Sequence, residues 1–153
     1  MRPMSELTNE QVVAQYAEAS ARLDTEALAR LRHADWTVVW PQSGERVHSS
    51  EAFAEIVRNY PGGPARSEVT RVVGAEDRWV VSPGNAILMV AGSGDFWWSE
   101  WRVTYPDGDL YLCVDLMELR DRKIWSETVY WATPFEAPTW RAPWVEIADQ
   151  PSA

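Results

Sequence analysis

The sequence predicts an α+β fold in which three N-terminal helices pack on an antiparallel sheet of five to six strands. Apolar residues recur at helical spacing only before Pro61, and from Ser67 onward the pattern becomes that of β-strands. Helices followed by a run of strands are typical of an α+β domain. Ten Trp against three Phe also indicate a wide pocket or an interface, because each Trp carries a large apolar surface and an N–H that needs a partner.

The first two helices begin at recognisable capping residues. Thr8, followed three residues later by Gln11, is a capping box. Apolar residues then follow at helical spacing: Val12, Val13, Tyr16, Ala19 and Leu23. Asp24 is expected to cap a short second helix. Its buried stripe is predicted to be Ala27, Leu28 and Leu31.

A strand and a third helix follow. Trp36 to Trp40 is predicted to be a strand that Pro41 ends. After a polar loop, Ser50 is expected to cap the third helix. That helix presents Phe53, Ile56, Val57 and Tyr60. The run from Pro61 to Pro64 ends it.

The rest of the chain up to residue 132 is predicted to be β-structure. The candidate strands are Glu68–Gly74, Arg78–Val81, Asn85–Ala91, Phe96–Tyr105, Leu110–Arg120 and Ile124–Trp131. Tyr105 to Gly108 suits a type I turn followed by a glycine bulge, which would join two long antiparallel strands. The segment Gly92 to Asp95 fits either a hairpin or a kink in one long strand.

Length, charge and cysteine usage narrow the class of protein. A chain of 153 residues is expected to form one domain, with a core over 8–132 and an extended tail over 133–153 that wraps the body. A net charge of −9 disfavours nucleic acid and anionic membranes as partners. The single Cys113 and the absence of a long apolar run predict a cytoplasmic location.

The two final strands carry apolar residues on both faces. In the first of them, Asp115, Met117 and Leu119 point one way, whereas Val114 and Leu116 point the other. A sheet that helices cover on one side should have a polar second side. The apolar second face therefore predicts a homodimer that forms through the outer face of the sheet.

The order of these elements resembles the nuclear transport factor 2-like superfamily, and its SnoaL-like group most closely. The segments that carry the resemblance are QYAEASARLDTEALARLRHADWTVVWP, CVDLMELRDRKIWSETVYW and, more weakly, PFEAPTWRAPWVE. The resemblance implies a cone-shaped fold around one deep cavity, usually in a dimer. The superfamily includes ketosteroid isomerase, polyketide cyclases, dehydratases, an epoxide hydrolase and members without catalysis, so the fold alone does not choose a function.

The resemblance to ketosteroid isomerase implies a site. Tyr16 falls where that enzyme has its oxyanion-hole Tyr, and Asp115 falls where it has a protonated Asp that donates a hydrogen bond. Trp131 matches an aromatic pocket residue on the last strand. The general base, an Asp before the Pro that ends the first strand, is replaced here by Trp40. The donors are therefore retained and the proton acceptor is lost.

The residues themselves add a candidate base and leave alternatives open. Asp115 lies among apolar neighbours, so it must be hydrogen-bonded, paired or protonated; Arg102, Trp N–H groups or the backbone are alternative partners. Glu127 shares strand parity with Trp131 and is the first candidate for the base, the alternative being a solvated Glu at the strand's mouth. Tyr16 also fits plain core packing.

Six further residues are predicted to form the ligand pocket: Trp36, Trp40, Phe53, Trp98, Met117 and Trp131. Glu100 would face the pocket only if the turn before Leu110 had two residues, whereas the bulged turn sends it outward. No cofactor and no metal are expected, because nucleotide, zinc and hydrolase motifs are absent and only His33, His48 and Cys113 offer soft ligands.

These observations predict a cofactor-independent isomerase, cyclase or dehydratase that acts on an apolar carbonyl or polyketide-like substrate. Tyr16 and Asp115 would be oxyanion donors, and Glu127 would be the base. The alternative is a non-catalytic binder or accessory protein for a hydrophobic small molecule. A dimerisation module without a ligand ranks well below both.

Overall fold

The computed structural model describes residues 7–74, 77–81, 87–92 and 94–148, and confirms the α+β class. The helices are α1 (Asn9–Arg22), α2 (Thr25–Leu31) and α3 (Ser50–Arg58). The strands are β1 (Arg32–Trp40), β2 (Glu45–Val47), β3 (Arg66–Gly74), β4 (Asp77–Val81), β5 (Ile87–Gly92), β6 (Phe96–Thr104), β7 (Leu110–Arg120) and β8 (Lys123–Ala132). A short 3-10 helix, Thr139–Trp144, lies in the tail.

Side-chain caps start all three α-helices. The predicted capping box is confirmed, since Thr8 accepts a hydrogen bond from the Gln11 N–H and the Gln11 side chain accepts one from the Thr8 N–H. Asp24 caps α2 as predicted. The cap of α3 is Ser49, whose Oγ accepts from the Ala52 N–H at 3.1 Å. The prediction of Ser50 was wrong by one residue, because two adjacent serines offer the same capping chemistry.

Six strands form the main sheet in the order β2-β1-β8-β7-β6-β3, and β4 and β5 pair in a separate sheet. Strands β1 and β8 run parallel, whereas the other pairs are antiparallel. Strand β1 begins at Arg32, four residues before the predicted start at Trp36. Strand β2 was missed because this three-residue edge strand is mostly exposed and polar, so its sequence resembles a loop.

The turn between β6 and β7 fixes which side chains face the helices. The Gly108 N–H donates to the Tyr105 carbonyl oxygen at 2.9 Å, and Gly108 has a φ of 95°, which confirms the predicted bulged turn. This register pairs Ser99 with Asp115 and Glu100 with Val114. Glu100 therefore lies on the outer face. Strands β5 and β6 belong to different sheets, and Ser93 between them lies outside the described residues.

The core lies between the helices and the inner face of the main sheet. Its most buried members are Val12 and Val13 from α1, Leu28 from α2, and Met117 and Ile124 from β7 and β8. The apolar stripes of α1 and α2 supply one side of this core, as their spacing predicted, whereas α3 has no buried residue and packs against the core only through Phe53. Several core residues, among them Tyr16, Leu28 and Trp36, also line a cavity next to this core.

The described part of the tail exposes three large aromatic side chains. Phe135, Trp140 and Trp144 are 81%, 71% and 78% exposed. Pro138 precedes the 3-10 helix, and Pro143 lies within it. A 3-10 helix of six residues is too short to form an apolar face that could pack on the domain. Across the described residues, none of the helices has the length and apolar character needed to cross a membrane.

Candidate active site

A cavity of about 520 Å³ opens between the three helices and the inner face of the sheet. Its walls are largely aromatic: Tyr16, Trp36, Trp40, Phe53, Tyr60, Trp101, Tyr105, Tyr111 and Trp131. Arg32, Asp115 and Glu127 supply the charged and acidic groups of the inner wall. The volume suits a drug-sized organic molecule.

Two of the predicted pocket residues do not line this cavity. Trp98 pairs with Leu116 and lies on the outer face, because the register places its neighbours Trp97 and Ser99 on the inner face. Met117 is on the inner face but is packed into the core beneath the cavity. Trp101, two residues beyond Ser99, lines the cavity, as Trp98 had been expected to do.

Glu127 is the centre of a buried hydrogen-bond network. Tyr16 Oη and Trp36 Nε1 both donate to Glu127 Oε2, each at 2.7 Å. Both donors come from elements that face β8, namely α1 and the parallel neighbour β1. Glu127 is therefore buried at the cavity wall, and the alternative of a solvated Glu at the strand's mouth is wrong.

Arg32 completes this network and was missed by sequence reasoning. Its Nε donates to Tyr16 Oη at 2.8 Å, and its Nη1 donates to Ser50 Oγ at 3.4 Å. The guanidinium carbon lies 3.6 Å from the Trp36 ring centroid and 4.5 Å from that of Phe53, so cation–π contacts hold it. One signal was available: Arg32 follows Leu28 by four residues, in phase with the buried stripe of α2.

Asp115 lies on β7 beside Glu127, and only 8% of its surface is exposed. Because Val129 is its cross-strand partner and Glu127 is two residues from Val129, the two acids are diagonal neighbours on one face. Oδ1 of Asp115 is completely buried, and no N–H or O–H group of the described residues donates to it. Asp115 lines the cavity. Arg102, one suggested partner, pairs with Leu112 on the outer face.

The surroundings of Asp115 favour the protonated form of its carboxyl. Burial raises its pKa well above the ordinary value, the negative charge of Glu127 and a hydrogen bond with Glu127 raise the pKa further, and Arg32 opposes them. Burial, followed by the charge of Glu127, also raises the pKa of Tyr16, which therefore remains a phenol that donates.

The structure thus brings Tyr16, Asp115 and Glu127 together, as predicted, but with a different hydrogen-bond polarity. The Tyr16 hydroxyl donates to Glu127, not to an open point in the cavity. Glu127 thus accepts the hydrogen bond that a substrate oxyanion would accept in an oxyanion hole.

Replacing Asp115 by Asn is expected to change how stability depends on pH. The unfolded carboxyl has a pKa of about 3.9, and the folded pKa is raised. Between these two pKa values the folded state binds more protons, so the free energy of unfolding falls as pH rises, by up to about 1.4 kcal/mol per pH unit. The Asn variant lacks this contribution. Urea unfolding of both proteins is measured from pH 5 to 8. As pH rises, the free energy of unfolding of the wild type should fall relative to that of the variant. If the two free energies change in parallel with pH, the pKa of Asp115 is not raised.

A chain of aromatic contacts surrounds the outer part of the cavity. Tyr60 stacks on Tyr105 at 4.8 Å between centroids, Tyr105 meets Tyr111 edge to face at 5.3 Å, and Tyr111 meets Trp131 at 6.2 Å. Gln42, just beyond β1, hydrogen-bonds both the N–H and the carbonyl of Trp131. These contacts fix the aromatic walls without placing a charge on them. No cluster of three His, Cys, Asp or Glu suited to a metal occurs among the residues that the structure describes.

Solved structures share this architecture. An NTF-2 like protein of unknown function from Burkholderia xenovorans LB400 is 30% identical over 96% of this chain and 100% of that chain, with a TM-score of 0.70. A candidate ketosteroid isomerase from Kribbella flavida DSM 17836 is 19% identical over 93% and 90% of the two chains, with a TM-score of 0.70. A candidate polyketide cyclase from Xanthomonas campestris pv. campestris is 19% identical over 81% and 90%, with a TM-score of 0.56. No protein-family profile and no curated protein matches the chain.

Proposed function

Since the chain belongs to the nuclear transport factor 2-like superfamily, we propose that it is a cofactor-independent isomerase, cyclase or dehydratase that moves protons on an apolar carbonyl or polyketide-like substrate. One observation carries the proposal: the carboxyl groups of Asp115 and Glu127 are diagonal neighbours on the inner face of the sheet, and both line an aromatic cavity. Two neighbouring carboxyls whose environments differ can act as the acid and the base of proton-transfer chemistry near neutral pH.

In this proposal Asp115 exchanges protons with the substrate and Glu127 supports it. When one oxygen of the neutral Asp115 carboxyl takes a proton from the substrate, the proton on its other oxygen passes to Glu127, so Asp115 stays neutral. The reverse sequence returns a proton to the product. Tyr16 and Trp36 hold Glu127 in place, and Arg32 holds Tyr16. The aromatic walls, to which Trp40 belongs, exclude water and hold the apolar substrate.

Deuterium exchange tests this proposal without knowledge of the natural substrate. 2-Tetralone, an uncharged bicyclic ketone with acidic C–H groups next to its carbonyl, is incubated with the protein in D₂O and followed by NMR. We expect exchange faster than in buffer or with heat-unfolded protein, because general acid–base catalysis contributes about 10²- to 10⁴-fold. Quenching of the tryptophan fluorescence would show that the ketone binds. If the bound ketone exchanged deuterium only at the rate measured in buffer, the result would argue against an enzyme.

One feature favours the alternative, a non-catalytic binder of hydrophobic molecules. Three hydrogen-bond donors of the site already have acceptors within the protein, as in a polar network that only stabilises the fold: Tyr16 Oη, Trp36 Nε1 and Arg32 Nε. A binder of this kind would take up the ketone, leave its C–H groups unexchanged and be insensitive to the change of Asp115 to Asn.

The proposal includes a cytoplasmic homodimer that forms through the outer face of the main sheet. Leu112, Val114 and Tyr130 are exposed on that face, where Val114 and Tyr130 are cross-strand partners. A contiguous apolar stripe on a twofold interface would be self-complementary. The single Cys113 is buried and free, as suits a reducing compartment.

Replacing Val114 by Glu is expected to convert the dimer to monomer, because an isologous interface would bury two like charges near its axis. Size-exclusion chromatography with light scattering at micromolar concentration should give about twice 17.4 kDa for the wild type and the monomer mass for the variant. Val145→Glu, the same change in the exposed tail, is the matched control. A wild-type protein that elutes as a monomer would refute the dimer.

A further inference from the structure

Four aromatic side chains line the outer part of the cavity: Tyr60, Tyr105, Tyr111 and Trp131. The ring planes of Tyr105 and Tyr111 stand at 87° to each other, and those of Tyr111 and Trp131 stand at 85°. Tyr60 stacks on Tyr105 with an angle of 19° between the planes. Because neighbouring rings stand at right angles, they form an aromatic corner and not one flat wall.

Glu45 adds a negative charge to this side of the cavity. It is exposed, it is the cross-strand partner of Trp40, and both residues line the cavity. The turn between Trp40 and Glu45 carries Gln42, whose side chain hydrogen-bonds the backbone of Trp131. This turn is therefore fastened to the end of β8, and the Glu45 carboxylate belongs to the same rim of the cavity as the Trp131 ring.

Among the described residues that line the cavity, Arg32 is the only Lys or Arg. Its guanidinium lies over the rings of Trp36 and Phe53 in the inner part of the cavity. Three acidic residues line the same cavity, and the whole chain has a net charge of −9. The field of the protein therefore favours a cation as ligand, and the outer rings offer a ligand the same contacts that the inner rings give Arg32.

Aromatic rings prefer one kind of cation. The face of a ring carries negative partial charge and attracts a cation within about 6 Å of its centroid. A bare ammonium is a compact, strongly hydrated charge, whereas methyl groups give a methylated ammonium an apolar surface that packs on the rings. Aromatic cages are accordingly the usual means by which proteins recognise quaternary ammonium groups.

We infer that the outer part of the cavity binds the methylated ammonium group of a small organic cation. Tyr105, Tyr111 and Trp131 contact its methyl groups, and Glu45 is its counter-ion. The inference goes beyond the proposed function, because it does not involve the carboxyl pair of the inner wall and applies equally to an enzyme and to a binder.

Three probes that share a hydroxyethyl group test the inference by calorimetric titration. Choline carries a trimethylammonium group, 3,3-dimethyl-1-butanol is its uncharged carbon isostere, and ethanolamine carries a bare ammonium group. The wild-type protein should bind choline about tenfold, or about 1.4 kcal/mol, more tightly than either of the others. A preference over the isostere shows that the charge is recognised. A preference over ethanolamine shows that the rings recognise it, and not an ion pair with Glu45 alone.

Variants separate the ring of Tyr111 from its hydroxyl and from packing. Tyr111→Phe keeps the ring and should keep the preference for choline over the isostere, whereas Tyr111→Leu should reduce that preference about threefold. Phe135→Leu, which removes an exposed ring of the tail, is the matched control. Glu45→Gln should also weaken choline binding relative to the isostere, and Glu18→Gln, the same change at an exposed position on α1, should not. If Tyr111→Leu does not fold, the three probes and the exposed Glu45→Gln still decide.

The inference would be overturned if choline bound no more tightly than the isostere or ethanolamine, or if none of the probes bound. A full preference for choline in a folded Tyr111→Leu variant would overturn it as well. These failures are distinguishable from failure of the proposed function, which exchange into 2-tetralone tests. Preference for choline together with no deuterium exchange would refute the enzyme and leave the ammonium site standing, and exchange without that preference would do the reverse.

Discussion

Replacing Asp115 by Asn should lower the rate of deuterium exchange into 2-tetralone at least a hundredfold, while the affinity for the ketone changes less than twofold. An amide has nearly the shape of the carboxyl, but it neither takes up nor releases a proton near neutral pH. Loss of the proton-transfer group removes the general acid–base contribution, which is about 10²- to 10⁴-fold. NMR measures the exchange, and tryptophan fluorescence measures the binding.

The matched control is Asp109→Asn, the same chemical change at an exposed position just before β7. It should leave both exchange and binding unchanged. If Asp115→Asn retained wild-type exchange, the proton would have to move through another group, and the carboxyl pair would lose its proposed role. Equal loss in both variants would point to general destabilisation, which the unfolding curves would also reveal.

The parts of the fold that short-range chemistry decides were predictable from the sequence. The capping box at Thr8, the cap at Asp24 and the glycine bulge at Gly108 were all predicted and are confirmed. Each depends on residues within four positions of one another. Strand β2 was missed because its pairing with β1, not its own sequence, makes it a strand.

The site was predictable where strand parity alone decides it. Glu127 was expected in the cavity from its strand parity with Trp131, whereas Asp115 was expected there from the family resemblance, and the sheet places both on its inner face. Trp98 was misplaced because a difference of one residue in a strand moves a side chain to the other face. Arg32 was missed because an arginine in a helix-to-strand junction is ordinarily exposed, and only the assembled rings of Trp36 and Phe53 create its buried position.

Replacing Glu127 by Leu is expected to lower the free energy of unfolding by about 3 to 5 kcal/mol, which is the range for removing one partner of a buried ion pair. Tyr16 Oη and Trp36 Nε1 would lose their common acceptor, and the positive charge of Arg32 would remain buried without the carboxylate that compensates it. Urea unfolding at pH 7 measures the loss. A cost below about 1 kcal/mol would mean that the network is hydrated and contributes no more than a surface ion pair.

A double-mutant cycle shows whether Arg32 and Glu127 act as a unit, although Tyr16 lies between them in the network. Arg32→Met should also be destabilising, because it leaves Glu127 buried without its compensating charge. The double variant, with both charges replaced by apolar side chains, should be more stable than the sum of the single losses predicts by about 2 kcal/mol. The exposed pair Glu55 and Arg58 on α3 is the control, for which coupling of about 0.5 kcal/mol or less is expected. Additive losses at Arg32 and Glu127 would show that the arginine is held by the rings of Trp36 and Phe53 alone, and that its charge does not stabilise the carboxyl pair.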